Sequence, residues 1–320
     1  MKKLLKIVGI TLLCIVLILF AIFLIINFRG IPVYETQAVN HTVISTPKSV
    51  QRGKKLATML CAGCHMSSET GKLTGKLMLD GPPEFGEIYS LNITQDKTYG
   101  IGNWTDGELI YLLRTGIRKN GAYAPPYMAK LPNMADEDVD AIVSFLRSDD
   151  PIVSADPTPD QESKPSFLTK FLCTVAFKPF PMPDQVIAMP DTTNKVELGK
   201  YLALNLDCFS CHSADFKTVD YLMPENSKGY FGGGNKLLNM EGDVMITPNL
   251  TPDNETGIGA WTEGQFVKAV RFGIVDGQEA LRYPMMPYTQ LTQKEAAAIF
   301  TYLQSIPPIS NKVERSIIEQ

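Results

Sequence analysis

The sequence predicts an all-α protein with two tandem domains behind a single N-terminal transmembrane helix. Three observations lead to this fold class: a long apolar run near the N-terminus, a pattern that occurs twice, and apolar residues at helical spacing within each copy. The 320 residues suffice for two domains of ordinary size plus an anchor. A hydrophobic fraction of 44% and a charged fraction of 20% indicate globular domains rather than disorder.

Residues 1–30 predict an uncleaved membrane anchor. Three lysines (Lys2, Lys3 and Lys6) precede an apolar run. The run covers residues 7–26 without a charged residue, and about twenty such residues span a bilayer as a helix. A cleaved signal peptide is the alternative, but its apolar region is usually about 7–15 residues long and ends in small residues. The lysines favour the cytoplasmic side, so we expect a single pass through the cytoplasmic membrane, with the domains on the periplasmic side.

A repeated pattern indicates that the rest of the chain contains two copies of one domain. The sequence Gly-Ile-Gly-x-Trp-Thr begins at Gly100 and again at Gly257. The sequence Asn-Ile/Leu-Thr begins upstream at Asn92 and again at Asn249. Both pairs are separated by the same 157 positions, and such a constant offset indicates duplication.

The two predicted domains cover residues 47–150 and 196–308, and each is expected to contain three main helices. The first helix precedes a cysteine pair, the second begins at a Thr-x-x-Glu/Gln capping box, and the third closes the domain. The predicted helices are residues 50–60, 105–116 and 136–147, and in the second copy residues 196–206, 262–273 and 293–304. The first copy has Ala135 where the second has a capping threonine, so we expect Asp136 to cap the third helix.

A linker at residues 151–195 joins the domains. Its first part contains several prolines and is expected to be extended. Residues 167–176 then carry an apolar stripe at helical spacing. We expect this stripe to join the two domains; the alternative is that it meets the membrane surface or a membrane partner.

Two Cys-x-x-Cys-His motifs indicate the chemistry. They place Cys61 and Cys64 beside His65, and Cys208 and Cys211 beside His212, at matching places in the two copies. This motif attaches c-type haem. Each thiol adds to a vinyl group of the porphyrin and forms a thioether, and the histidine supplies a ligand to the iron. We therefore predict two covalently bound haem c groups.

Three other interpretations of the cysteines are weaker. A structural zinc site needs four ligands in one small module, whereas these cysteine pairs lie in separate copies. A thioredoxin-like pair would lie beside a βαβ pattern, and the sequence has none. A plain disulfide would leave the repeated histidine unexplained.

The count of histidines points to methionine as the sixth iron ligand. The chain has three histidines, and His41 is expected to be solvated, so histidine cannot supply both sixth ligands. The usual alternative is methionine, which raises the reduction potential. The loop before the last helix offers Met286 as our choice and Met285 as the alternative in the second copy. The first copy offers Met128, with Met134 as the alternative.

These motifs resemble the membrane-anchored multi-haem cytochrome c subunits of bacterial alcohol and gluconate dehydrogenases. The resemblance follows the order of CxxCH, Asn-Ile/Leu-Thr, Gly-Ile-Gly-x-Trp-Thr and the Pro-Met loop, and covers nearly everything after the anchor. It implies class I cytochrome c domains and His/Met ligation by His65 with Met128 and His212 with Met286. Two departures stand out: two haem domains rather than the usual three, and Ala129 in place of a proline.

The resemblance implies an electron carrier rather than an enzyme. Its donor would be a dehydrogenase or another respiratory protein, and its acceptor a quinone, a cytochrome or an oxidase. With a net charge of −4 and no basic run, no nucleic-acid partner is expected. The alternative is a two-haem peroxidase, which would need an acid–base group beside an open iron site. Glu69 and Asp80 could be proposed for that role, but we expect both to be surface charges.

Overall fold

The computed structural model describes residues 1–79, 81–277, 279–313 and 317–318 of the chain. Within these residues the backbone is mainly helical, which confirms the predicted all-α class. The helices are α1 Lys2–Arg29, α2 Pro47–Leu60, α3 Ala62–His65, α4 Asp106–Thr115, α5 Asp136–Leu146, α6 Phe167–Val175, α7 Lys195–Asn205, α8 Cys208–Cys211, α9 Glu263–Phe272 and α10 Gln293–Leu303. Single turns of 3-10 helix occupy Pro83–Phe85 and Pro224–Asn226.

Five short strands, which the sequence analysis did not predict, accompany the helices. They are β1 Gly86–Glu87, β2 Lys164–Pro165, β3 Lys236–Leu238, β4 Val244–Ile246 and β5 Ile317–Ile318. Strand β1 pairs with β2, and β4 lies between β3 and β5, with antiparallel pairing throughout. None exceeds three residues, which is too short for an alternating pattern to show in the sequence.

Helix α1 has the dimensions of a membrane span. It contains 28 residues, and its most apolar window reaches a mean hydropathy of 3.3 with only 6% of that window buried. A helix of this length is longer than the roughly 30 Å hydrocarbon layer. Only its last turns contact the rest of the chain, where Ile26 is buried. The structure thus contains the helix that the apolar run predicts.

Each domain is built on the same close crossing of its first and last long helices. In the first domain α2 crosses α5, and in the second α7 crosses α10. A Cβ atom on Gly53 would lie 1.7 Å from the carbonyl oxygen of Ala141, and one on Gly199 would lie 1.9 Å from that of Ala298. Only glycine permits such an approach of two helix backbones.

Helix boundaries follow the predicted capping signals with one correction. Complete capping boxes begin α4 at Thr105, α9 at Thr262 and α10 at Thr292. Helix α4 ends at Gly116 and α9 at Gly273, both in the left-handed conformation. The expectation that Asp136 caps α5 is wrong. Ala135 occupies the N-cap position without a side-chain hydrogen bond, and the carboxylate of Asp136 instead pairs with Arg114.

The two domains have separate cores that share a boundary. Met59, Leu60 and Tyr201 pack against the buried residues of both cores. Across this boundary the hydroxyl of Tyr201 donates to the Asp138 carboxylate at 2.7 Å. Arg52 pairs with Asp138 at 2.8 Å and also contacts Glu295 of the second domain at 3.3 Å. Apolar packing and a largely buried ion-pair network therefore fix the two domains against each other.

The linker helix α6 does not lie where the sequence analysis placed it. Its principal contacts are with α1, with strand β2 and with the 3-10 turn at Pro83–Phe85 of the first domain. The expectation that its apolar stripe joins the two domains is therefore wrong. Periodicity showed that the segment has an apolar face, but it carries no information about which surface that face meets.

Candidate haem sites

Each Cys-x-x-Cys-His motif forms one turn of helix at the end of a longer helix. The first motif follows α2 and forms α3, and the second follows α7 and forms α8. Burial raises the pKa of the Cys61, Cys208 and Cys211 thiols to about 12 each, with smaller contributions from neighbouring charges. These thiols are therefore neutral in the protein chain at neutral pH.

Both motif histidines are oriented in the same way. Nδ1 of His65 lies 2.7 Å from the carbonyl oxygen of Leu91, and Nδ1 of His212 lies 2.9 Å from that of Pro248. A carbonyl can only accept, so Nδ1 carries the proton and Nε2 keeps a free lone pair. Burial lowers the pKa of both imidazoles, which keeps them neutral. Both rings therefore present Nε2 as a metal ligand, held by the hydrogen bond on the opposite nitrogen.

The repeated Asn-x-Thr segments position these carbonyls, a role that the sequence analysis missed. In the first domain Asn92 Oδ1 accepts from the Thr94 amide and hydroxyl, at 2.9 and 2.7 Å. In the second, Asn249 Oδ1 accepts the same two bonds from Thr251, again at 2.9 and 2.7 Å. Each asparagine directly follows the residue whose carbonyl accepts the hydrogen bond from the motif histidine. The repeat was visible in the sequence, but the histidine that bonds to the carbonyl lies 26 residues before it in the first domain and 36 residues before it in the second.

The donor set fits haem iron better than a bare metal ion. Among the described residues no group of three or more His, Cys, Asp or Glu side chains could hold a metal ion together. The rings of His65 and His212 bond through Nδ1, so each site offers one imidazole nitrogen beside two cysteine sulfurs. One nitrogen with two thiols on one helical turn suits covalent haem attachment, with axial ligation by histidine.

In the first domain the two candidate methionines have different surroundings. Met134 is 0% exposed within the hydrophobic core, and its carbonyl accepts a bond from Arg114 at 2.6 Å. Met128 is partly exposed in the loop before α5, where its amide bonds to the Pro125 carbonyl at 3.0 Å. The core thus already engages Met134, whereas Met128 lies outside it.

In the second domain the two adjacent methionines also differ. Met285 packs against the core cluster that includes Leu206, just before the second motif, and Phe209, within it. Met286 is 59% exposed in the protein chain. The Met285 side chain therefore packs on the protein core, and the Met286 side chain is largely exposed.

The remaining sequence candidates lie outside these sites. His41, expected to be solvated, is 45% exposed and has its Nε2 3.0 Å from the Asp140 carboxylate. Glu69, considered for a peroxidase role, is exposed on the surface. Asp80 lies outside the described residues.

Buried charges distinguish the two sites, and the sequence analysis did not identify them. In the first domain Arg118 lies close enough to His65 to lower its pKa beyond the effect of burial. Burial lowers the pKa of Lys130 to about 7, and its Nζ donates to the Pro125 carbonyl at 2.7 Å. In the second domain burial raises the pKa of Asp207, the residue before Cys208, to about 7, against an opposing hydrogen bond from Ser210.

Several proteins with similar sequences are cytochrome subunits by name. The fructose dehydrogenase cytochrome subunit of Gluconobacter japonicus is 30% identical over 88% of this chain and 56% of its own length. The cytochrome c subunit of alcohol dehydrogenase (quinone) from Gluconacetobacter polyoxogenes is 30% identical over 81% of this chain and 56% of its own. The gluconate 2-dehydrogenase cytochrome c subunit of Pantoea cypripedii is 29% identical over 80% and 59%. The chain spans little more than half the length of these curated relatives.

These names confirm the resemblance noted from the motifs. They are names of cytochrome subunits rather than catalytic subunits, which agrees with an electron carrier and gives no support to the peroxidase alternative. The family model for cytochrome c matches the chain twice, over residues 50–149 and 196–307. Those two regions contain the repeated motifs and the oriented histidines. The chain therefore belongs to the cytochrome c family, whose members hold haem c covalently.

Proposed function

We propose that the chain carries two haem c groups and passes single electrons on the periplasmic side of the cytoplasmic membrane, as a subunit or partner of a dehydrogenase. The observation that carries this proposal is the duplicated site. In both copies a Cys-x-x-Cys-His turn places a neutral histidine whose Nδ1 donates to a carbonyl held by an Asn-x-Thr segment. Two copies of the same device support two cofactors.

The sixth ligands in this proposal are Met128 and Met286, while His65 and His212 supply the fifth. Burial supports this choice. Met134 is 0% exposed in the first core and Met285 packs against the second core, whereas Met286 is 59% exposed. A side chain that binds a cofactor must leave the core and face the cofactor instead. Met285 remains the alternative sixth ligand of the second haem, one residue before Met286.

The protein groups have defined roles at each site. The cysteines would hold the cofactor by thioethers, and the hydrogen bond at Nδ1 would keep each imidazole in the orientation that its ligand role requires. Bound haem supplies the one-electron exchange between Fe(III) and Fe(II). Methionine sulfur favours Fe(II), so His/Met ligation would give high reduction potentials suited to accepting electrons from a dehydrogenase.

The boundary between the domains supports transfer from one site to the other. Met59 and Leu60 contact both cores, and the first attachment residue, Cys61, follows them directly. The ion pairs of Arg52 with Asp138 and Glu295 hold this arrangement. A fixed domain boundary would keep the distance between the cofactors constant, so an electron could pass between them without domain motion.

The anchor supports the proposed location and partners. The lysines before the apolar part of α1 favour a cytoplasmic N-terminus, which would leave both domains on the periplasmic side. The relatives named above are subunits of dehydrogenases, which supports a dehydrogenase as the electron donor. A quinone, a cytochrome or an oxidase would then be the acceptor.

Counting attached haems in the full-length protein tests the proposal. After expression in a host with haem-attachment machinery, the denatured protein should have the mass of the chain plus two haems. The double variants C61S/C64S and C208S/C211S should each retain one haem. The control Cys173→Ser, which removes a cysteine outside the motifs, should retain two. A mass equal to the bare chain, or to the chain with one haem, contradicts the proposal.

A further inference from the structure

Helix α6 directs small side chains toward the protein and large apolar side chains outward, the opposite of a usual surface helix. Thr169 and Cys173, four positions apart, face inward and are 2% and 0% exposed. The large apolar side chains of Leu168, Phe171 and Val175 are 41%, 37% and 54% exposed. On a surface helix the large apolar residues normally face the core. The outward face of α6 therefore suits an apolar environment outside the protein.

This outward face lies beside the end of the membrane-spanning helix. The ring centroid of Phe167 lies 4.6 Å from that of Phe23, which belongs to the apolar run of α1. Nζ of Lys170 donates to the backbone oxygen and the side-chain oxygen of Asn27, both at 3.2 Å. Phe23 and Asn27 form the last turns of α1 before Arg29. The start of α6 therefore lies at the level where α1 leaves the hydrocarbon layer.

The first domain is held at the same level by further contacts. The hydroxyl of Thr169 donates to the Phe85 carbonyl at 2.8 Å, and β2, just before α6, pairs with β1. The segment after α1 also joins this domain, because the Tyr34 amide donates to the Gly121 carbonyl at 2.9 Å. Both α1 and α6 are thus fixed to one domain, so α6 cannot move away from the membrane independently.

We propose that α6 lies in the outer headgroup and upper acyl region of the bilayer, with Leu168, Phe171 and Val175 in contact with lipid. The inference rests on α1 spanning the membrane. Continuity with α1 identifies the occupant of this face, because a surface that begins beside Phe23 meets lipid before it meets any other partner. Lys178 at the other end of the helix is exposed, as a flanking cation at a headgroup layer should be.

This placement gives the two domains different distances from the membrane. The first domain is attached through α1, α6 and the Tyr34 segment. The second domain contacts the first across the Arg52 network. The first haem site would therefore lie nearer the bilayer, and the second would extend toward the aqueous space. A lipid-soluble electron partner would meet the first domain.

Lipid photolabelling tests the placement of α6 in the full-length, haem-loaded protein. The protein is reconstituted into phosphatidylcholine–phosphatidylglycerol vesicles containing a phosphatidylcholine with a diazirine high on its acyl chain, irradiated, digested and mapped by mass spectrometry. We expect label on peptides from both α1 and α6. In L168E/F171E/V175E, the label on α6 should fall at least tenfold while the label on α1 persists. The control V186E/F216E, which changes two other exposed apolar residues, should label as the native protein does.

Each outcome of this experiment bears on the inference. Label on α1 without label on α6 overturns it, as does equal α6 labelling in the triple variant. Absence of label from both helices overturns the membrane span itself and the inference with it, while the haem count of the proposed function stands. Cross-linking of α6 to another polypeptide in native membranes, without lipid label, replaces the bilayer with a protein partner and also overturns it. An unchanged haem absorbance spectrum shows that each variant is folded.

Discussion

The two domains share one scaffold but differ in the charges around their cofactor sites. Gly53 and Gly199 permit the same helix crossing, and both histidines donate to a carbonyl beside an Asn-x-Thr segment. At matching positions, however, the first domain has Arg118 where the second has Val275, and the second has Asp207 where the first has Leu60. The shared residues build the site, and the divergent charges adjust what the site does.

A second difference concerns the arginine at the end of the second helix of each domain. Arg114 is 1% exposed and donates to the carbonyls of Leu131 and Met134 while pairing with Asp136. At the matching position, the guanidinium of Arg271 lies 4.8 Å from the Phe272 ring, and no described acceptor reaches its Nε. In the first domain the arginine side chain therefore bonds to the end of the methionine loop, whereas in the second the loop meets the helix through a backbone bond from the Tyr288 amide to the Val270 carbonyl at 2.8 Å.

The largest effect is expected from the proposed methionine ligands, which test whether the two sites are equivalent. Met128→Ala and Met286→Ala should each remove the sixth ligand of one haem. The methionine-to-iron absorption of the oxidised protein should fall by about half in each variant, and the potential of the affected haem should drop. Met134→Ala and Met285→Ala serve as matched controls and should retain the absorption. Loss in Met285→Ala, with no change in Met286→Ala, would move the second ligand by one residue.

Replacing the two matching arginines should separate the domains by stability. Arg114→Met leaves two loop carbonyls without their donor, which should cost about 2–4 kcal/mol of unfolding free energy. Arg271→Met removes a partly buried guanidinium whose Nε meets no acceptor among the described residues, and should cost less than about 1 kcal/mol. Denaturant unfolding followed at the haem absorbance measures both. Equal losses would show that the hydrogen bonds of Arg114 do not distinguish the domains.

The pH dependence of the potential should distinguish the second haem from the first. Burial raises the pKa of Asp207 to about 7, and its ionisation adds a negative charge that favours Fe(III). The potential of the second haem should therefore fall as pH rises through 7, with a slope below the one-proton limit of about 59 mV per unit. Because the pKa is raised on folding, the contribution to stability is present in acid and lost as pH rises toward 7.

Asp207→Asn provides the matching control for that pH dependence. The amide keeps the size of the side chain and cannot ionise, so the potential of the second haem should become flat between about pH 5 and 8, the range in which Asp207 titrates in the native protein. Redox titrations at several pH values measure the change. A slope that persists in Asp207→Asn would assign the proton to another group.

The smallest effect is expected from Arg118. A guanidinium near His65 disfavours added positive charge, so it should favour Fe(II) and raise the potential of the first haem. Arg118→Gln should lower that potential by some tens of millivolts, because the charge is partly solvated, and should leave the second haem unchanged. Exposed Lys119, the next residue, gives a control in Lys119→Gln that should shift neither. An equal shift in both haems would mean that the cofactors share one electrostatic environment.

What could be predicted from the sequence was local or repeated. The capping boxes at Thr105 and Thr262 involve residues three apart, so their residue types are sufficient to locate the helix starts. The cysteine motifs likewise carry their chemistry in five adjacent residues. The surface on which α6 packs and the carbonyl that bonds to His65 both depend on segments that meet only after folding, and no local pattern specifies them. The same holds for the partly buried charges of Arg118 and Asp207, because their positions near the sites follow from tertiary packing.

The carbonyl bonds to His65 and His212 also bear on the speed of electron exchange. Each acceptor carbonyl precedes an asparagine whose side chain closes its own loop, so the groups around the imidazole are in place before the charge on the metal changes. A ring that neither rotates nor changes its hydrogen-bond acceptor would contribute little nuclear rearrangement when an electron arrives or leaves. Around a bound haem, such preset surroundings would lower the reorganisation energy and so favour rapid electron transfer at a small driving force.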